Sequence, residues 1–259
     1  MENKISHDHK KNVLRFALFI GELMLINGAE TYRVEDTILR ICKSRNYNHI
    51  NVFISPTAII ISDYRFDGFT FMKTIKSRSI DLNKISLLNN LSRKYVSTPQ
   101  LNINEAMIEL KKINQIKSYS PFAINLCTGF SSAFFAILLE GDNLPTFITS
   151  ILAVMIYNKM MKISTIPAFS SFISSTFIAI IGVILTQLNI LPTPAMLVVG
   201  SIMPLLPGVS FIKGIRDLIA GDLISGVARA FDASVTAISI ACGVGIILDI
   251  WFRLGGNLL

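Results

Sequence analysis

Charge is scarce in this 259-residue chain: 16% of residues are charged, 51% are hydrophobic and the mean hydropathy is +0.55. A soluble domain is ordinarily nearer a quarter charged, so the composition excludes a simple water-soluble globule. Cysteine is rarer still. Cys42, Cys127 and Cys242 are odd in number and far apart, which excludes a disulfide scaffold and a paired zinc-site spacing and reads as buried thiols. His7, His9 and His49 are too scattered for a metal site, and His7 with His9 reads as part of a solvated terminus. Also missing are a Walker sequence, a G-x-G-x-x-G after a strand, H-E-x-x-H and G-x-S-x-G. ATP-driven transport within the chain is therefore not expected, and nothing in the sequence asks for a cofactor. Met1–Asn12 is polar, with no apolar core or small-residue cleavage site, so no secretory signal peptide is expected and the first part of the chain is expected in the cytoplasm.

What is present divides into two halves. Residues 1–120 carry 18 lysines and arginines against 11 aspartates and glutamates, whereas residues 121–259 carry six of each. The expected architecture is a mainly α-helical integral membrane protein. A small cytoplasmic α/β domain (1–120) precedes a transmembrane domain (121–259) of about five helices. The spans are expected at about 122–139, 144–161, 166–188, 195–212 and 233–252, with Lys159 and Lys162 snorkelling to the interface. Five spans agree with most of the loop charges. With the first domain and Lys117 inside, Glu140 and Asp142 fall outside, and Lys159, Lys162, Lys213, Arg216 and Arg229 fall inside; Arg253 alone is on the wrong side.

In the first domain, Val13–Asn27 is apolar around most of its circumference but short and interrupted by Glu22, which fits a helix buried in a small core or laid on the membrane. Gly28 interrupts it, and Glu30–Ser44 continues helically with Val34, Ile38 and Ile41 on one stripe. Ile50–Asp63 and Arg65–Ile75 read as two strands of a hairpin, with Asp67-Gly68 as the turn. Leu82–Tyr95 and Ile103–Ile116 read as helices, the second capped by Asn102 or Asn104.

The stretch Met203–Asp222 holds the most chemistry. Pro204 and Pro207 remove two N–H groups and should free the carbonyls of Gly200 and Met203, so the fourth span can cross only as a broken helix. Gly208 is expected to turn the chain, at a position where positive φ could be required. The N–H groups that follow, with Ser210, could hold a substrate carboxylate at a half-helix start. A kink used only for packing is the plainer reading. Ala233, Ala237, Ala241 and Gly245 repeat every four residues and suit close helix contact. Ser170, Ser171, Ser174, Ser175 and Thr176 either line a pathway or bond to neighbouring helices. Asp249 and Arg253 form an i,i+4 pair.

Two blocks of residues resemble the threonine/serine exporter family, in the short form that corresponds to its N-terminal part. The first is Gly28-Ala29-Glu30 with Arg33 and Glu35. The second runs from Leu191-Pro192 through Pro207-Gly208 to Arg216-Asp217, Gly221-Asp222, Gly226 and Arg229. The resemblance covers nearly the whole chain. It implies a subunit of a secondary transporter in the cell membrane that exports threonine and serine, or a dicarboxylate such as succinate, on the proton gradient. It also implies a second small membrane subunit supplying the half that longer relatives carry; a homo-oligomer remains open.

Spacing places Glu30 beside Arg33, either as a functional cluster with Glu35 or as a solvated helix end. Asp217, Asp222 and Arg229 are similarly open between interfacial charges and groups facing a pathway. The sequence holds no nucleophile or metal set for an enzyme. A membrane-anchored sensor or scaffold, whose first domain binds a partner, is the other reading.

Overall fold

The computed structural model describes residues 2–65, 68–76, 78–117, 119–139, 141 and 143–255, with side chains described from residue 8 onward and not at 143. Glu140 and Asp142, on which the outside placement of the first loop rests, lie outside the described residues, as does Asp67. The chain is mainly helical with one small sheet, and it divides into two compact units: Met1–Ser118 with Ile212–Arg229, and Tyr119–Phe211 with Ala230–Leu259.

The first unit is built on α1 (Glu2–Ile26), α2 (Thr31–Lys43), β1 (Ile50–Ser55), β2 (Ala58–Asp63), β3 (Thr70–Thr74), α3 (Leu82–Ser97) and α4 (Ile103–Gln115). Helix α1 settles the choice between core and membrane surface. Val13, Leu14, Phe16, Ala17, Ile20 and Met24 are fully buried in the same cluster as Val34, Ile38 and Ile41 of α2. The helix runs from Glu2; Asp8 and His9 are exposed, the side chain of His7 lies outside the described residues, and Lys10 is buried against Asp63, which Arg65 also pairs at 2.8 Å.

The sheet has three antiparallel strands in the order β1-β2-β3. The expected fourteen-residue strand Ile50–Asp63 is itself a hairpin, with Ser55 opposite Ala58 and Pro56-Thr57 between them. Pro56 has no N–H for a ladder, and the Ser55 hydroxyl accepts from the Ala58 N–H at 3.1 Å, which closes the turn. Ile59, Ile61 and Asp63 face inward on β2. Asp81 caps α3 by accepting from the Lys84 N–H, and Asn102 rather than Asn104 caps α4.

The second unit contains α5 (Pro121–Leu138), α6 (Asn143–Ser164), α7 (Pro167–Gln187), α8 (Ala195–Ile202), a 3-10 turn at Met203–Leu205 and most of α10 (Leu223–Arg253). Among the described residues, four helices are long and apolar enough to cross a membrane. A fifth span is possible if α8, the 3-10 turn and α9 (Gly208–Ile219) act as one broken span, bent by 54°. Ser120 accepts from the Ala123 N–H, with Pro121 opening α5 where its missing N–H costs nothing. Two helices differ from the expected bounds: α9 runs on to Ile219, and α10 begins ten residues early because Asp222 caps it.

Packing in this unit uses small and hydroxylic residues. A Cβ on Gly129 would lie 2.7 Å from Ile151, and one on Gly200 2.8 Å from Thr146. Ser132 and Ser150, both fully buried, share a 2.6 Å hydrogen bond. On α10 the buried face is Ala233, Thr236, Ile240 and Gly243, whereas Ala237, Ala241 and Gly245 of the expected stripe lie on the chain's surface. Cys127 and Cys242 are likewise exposed, and only Cys42 is buried, its thiol pushed up to about 12 by burial. A bundle that presents its apolar side chains outward leaves no reason for a thiol to be inside.

Candidate functional site

Two places hold the residues singled out in the sequence. The first is in the second unit, where the fourth span breaks. Pro207 excludes Leu206 from helical geometry, and Leu206 is extended at φ −64° and ψ 132°. Pro204 sits inside the 3-10 turn, where the Met203 carbonyl accepts from the Leu206 N–H at 3.3 Å; that carbonyl is therefore not freed as expected. Helix α9 starts afresh at Gly208, and its first bond runs from the Phe211 N–H to the Pro207 carbonyl. The N–H groups of Gly208, Val209 and Ser210 consequently have no intrahelical acceptor.

Gly208 corrects one expectation. Its φ is not positive, and a Cβ there would meet nothing within 4 Å. The proline before it makes the turn. Pro204 also lines a cavity of about 430 Å³ with Cys127, Thr128 and Ser131 of α5, residues the sequence did not single out. Ser170, Ser171, Ser174 and Ser175 of α7 are all fully buried; Ser170 and Ser175 donate to their own helix, whereas the hydroxyls of Ser171, Ser174 and Ser201 have no partner among the described residues.

The second place lies within the first unit, where the α1–α2 turn meets the end of α9 and the start of α10. Helix α1 closes with the Ala29 N–H on the Met24 carbonyl and the Gly28 N–H on the Leu25 carbonyl, a Schellman motif that puts Gly28 at φ +90°. A side chain at Gly28 is excluded twice, because a Cβ would also lie 3.0 Å from the Ser79 carbonyl. The turn aims its carbonyls and Glu30 at three cations. Lys213 donates to the Gly28 carbonyl, Arg229 Nη2 donates to the Ala29 carbonyl at 3.3 Å, and Arg216 Nη1 donates to Glu30 Oε1 at 2.8 Å. Arg33 reaches the other Glu30 oxygen at 3.3 Å.

Lys213, Arg216 and Asp217 fall at i, i+3 and i+4, one face of α9. Asp217 is fully buried, with Arg229 Nε 3.0 Å from its Oδ2 but not aligned for a hydrogen bond. Burial alone would raise the Glu30 carboxyl, but its backbone hydrogen bond, Arg33 and Arg216 outweigh that and hold it below the ordinary range.

The cluster includes some expected residues and leaves others aside. Glu30, Arg33, Arg216, Asp217 and Arg229 come together. Glu35 is exposed and touches none of them; loss of hydration first, then the Asp222 charge, raises its carboxyl. Asp222 caps α10 through the Ser225 N–H at 3.2 Å, one residue after Gly221 at φ +89° ends α9 in a second Schellman motif. Gly226 lets the two helices close, since its Cβ would lie 2.5 Å from Leu218. Lys213 was missed; its signal was the i, i+3, i+4 row of charges at the end of an apolar segment.

The profile of a family described as "Putative threonine/serine exporter" matches residues 15–251. A Klebsiella aerogenes protein named "Probable succinate transporter subunit YjjP" is 24% identical over 93% of this chain and 95% of its own length. The Escherichia coli K12 protein of the same name is 24% identical over 94% and 96%. A Mycobacterium tuberculosis "Probable threonine/serine exporter" is 25% identical over 91% of this chain but only 46% of its own length. No solved structure matches.

Proposed function

The chain belongs to the threonine/serine exporter family, a family of transporters and not of enzymes, and from that premise we propose that it is one subunit of a secondary exporter of small carboxylate-bearing metabolites. The cargo class is threonine and serine, or a dicarboxylate such as succinate; both appear in the names of its relatives. The proton gradient drives export. No nucleotide-binding sequence is present to supply another source, and Asp217 is a buried ionisable group of the kind that proton-coupled carriers use.

The carrying observation is the break at Leu206-Pro207 between α8 and α9, bent by 54°, beside four continuous spans. Irregular backbone at membrane depth is tolerated where it lines a cavity, and a half-helix start offers N–H groups to a carboxylate. In this reading Pro204, Pro207, Gly208 and Ser210 shape the substrate site. Arg216, Asp217 and Arg229, with Glu30, form a charged group on the cytoplasmic side, where the positive-inside rule puts the basic first domain. Asp222 and Glu35 flank that group.

A second membrane subunit completes the exporter. Two relatives are named as subunits, and this chain spans about half of the mycobacterial one. Ala237, Ala241 and Gly245, exposed on α10, offer that subunit a face for close packing. The test is metabolite efflux from cells lacking or overexpressing the chain, with and without the partner. Efflux of one of these metabolites should follow the pair. Unchanged efflux in every strain would sink the transport reading, and full export by this chain alone in a host without relatives would sink the partner.

A further inference from the structure

The polar groove between α2 and α3 in the first unit is absorbed by nothing above. Its walls are side chains at helical spacing on both helices: Arg33, Asp36 and Arg40 on one side, Asn89, Ser92 and Arg93 on the other, around a cavity of about 370 Å³. Helices packed in a small domain ordinarily meet through apolar side chains, so two facing polar rows ask for a reason. The volume falls in the range of small-molecule sites.

The charges state what would fit. Three guanidinium groups face one carboxylate, and they are unequally committed. Arg40 is held by Asp36 at 2.6 Å, and Arg33 reaches Glu30 through a single 3.3 Å contact. Arg93 makes no hydrogen bond or ion pair among the described residues. A guanidinium presents forked donors that match carboxylate and phosphate oxygens two at a time.

We propose that the α2–α3 groove is a binding site for a small organic or inorganic dianion, received by Arg93 and Arg33 with Asn89 and Tyr32 at its edge. Two negative charges balance the excess of three arginines over Asp36. A bound dianion competes with Glu30 for Arg33, which links the groove to the charged cluster through one shared side chain. The site is separate from the break in the fourth span, so it does not rest on the transport reading.

The test is titration calorimetry on the purified full-length chain in lipid-free detergent at fixed ionic strength, with succinate, inorganic phosphate and acetate as probes. Succinate or phosphate should show a saturable site that Arg93→Gln weakens, and whichever does so names the source as carboxylate or phosphate. Acetate should bind at least about tenfold more weakly. Arg93→Gln should weaken the dianion by about tenfold or more, and Arg93→Lys by less. Binding of neither dianion, equal binding of acetate, or wild-type affinity in Arg93→Gln would overturn the proposal, whatever the outcome of the efflux assay.

Discussion

The two units of the chain are packed by opposite rules. The largest fully buried side chains of the chain all lie in the first, among them Tyr95, Phe16, Leu14, Ile20 and Met24. In the second, the fully buried residues include Ser132, Ser150, Ser170, Ser171, Ser174 and Ser175, while Phe122, Phe134, Leu138 and Phe231 stand outward with two-thirds or more of their surface exposed. A chain that folds in water gains by hiding hydrocarbon. A bundle that folds in lipid gains nothing that way and packs instead through small residues and short hydrogen bonds. The inversion is thus an argument, made from burial alone, that the second unit has a bilayer as its solvent.

The contrast can be broken most forcefully at matched phenylalanines. Phe16 is fully buried, its ring 4.8 Å from that of Tyr95, whereas Phe134 is 67% exposed. Phe16→Ala should destabilise the first unit by about 3–5 kcal/mol, while Phe134→Ala should change the unfolding of the detergent-solubilised protein by less than about 0.5 kcal/mol. Comparable losses at both positions would mean that the second unit has an ordinary hydrophobic core. The opposite substitution probes the other rule: Gly200→Leu forces a side chain into the 2.8 Å approach to Thr146 and should cost about 1–3 kcal/mol, read as a lower denaturation midpoint.

A smaller effect separates the charged cluster from both. Because Glu30 is held below its ordinary pKa, its ionised form adds stability that is complete above its unfolded value, near 4.5, and lost as the pH falls through the lowered folded value. Glu30→Gln should therefore cost about 1 kcal/mol at neutral pH, a modest figure because Arg216 is 56% exposed. In thermal unfolding the gap between variant and wild type should hold from pH 7 down to about 5 and close in stronger acid. A gap that widened in acid would reverse the assigned shift.

What sequence alone made legible was local. The stripe Val34, Ile38 and Ile41, the Asn102 cap and the proline break all act through neighbours a few residues away, and the structure carries each of them. The turn at Pro56-Thr57 was lost because the Val- and Ile-rich residues around it look like one strand. The early start of α10 was lost because a cap and two turns of mixed residues lack an apolar signal. The partnership of Glu30 with Arg216 spans 186 residues, and no periodicity reaches that far. Gly208 was assigned a turn that its preceding proline makes instead, and two of three cysteines were read by the rule for water when the rule for lipid applied.

The transport reading turns on the break in the fourth span, and one measurement reaches it directly. Pro204→Ala with Pro207→Ala restores two N–H groups and frees Leu206 to become helical, while keeping the apolar character that insertion needs. Efflux of the exported metabolite should be measured for this double variant beside wild type, with the partner subunit present and the rates normalised to the amount of chain in the membrane. Insertion should be normal and efflux should fall sharply. Normal insertion with wild-type efflux would show that the break serves packing alone and that the substrate passes elsewhere.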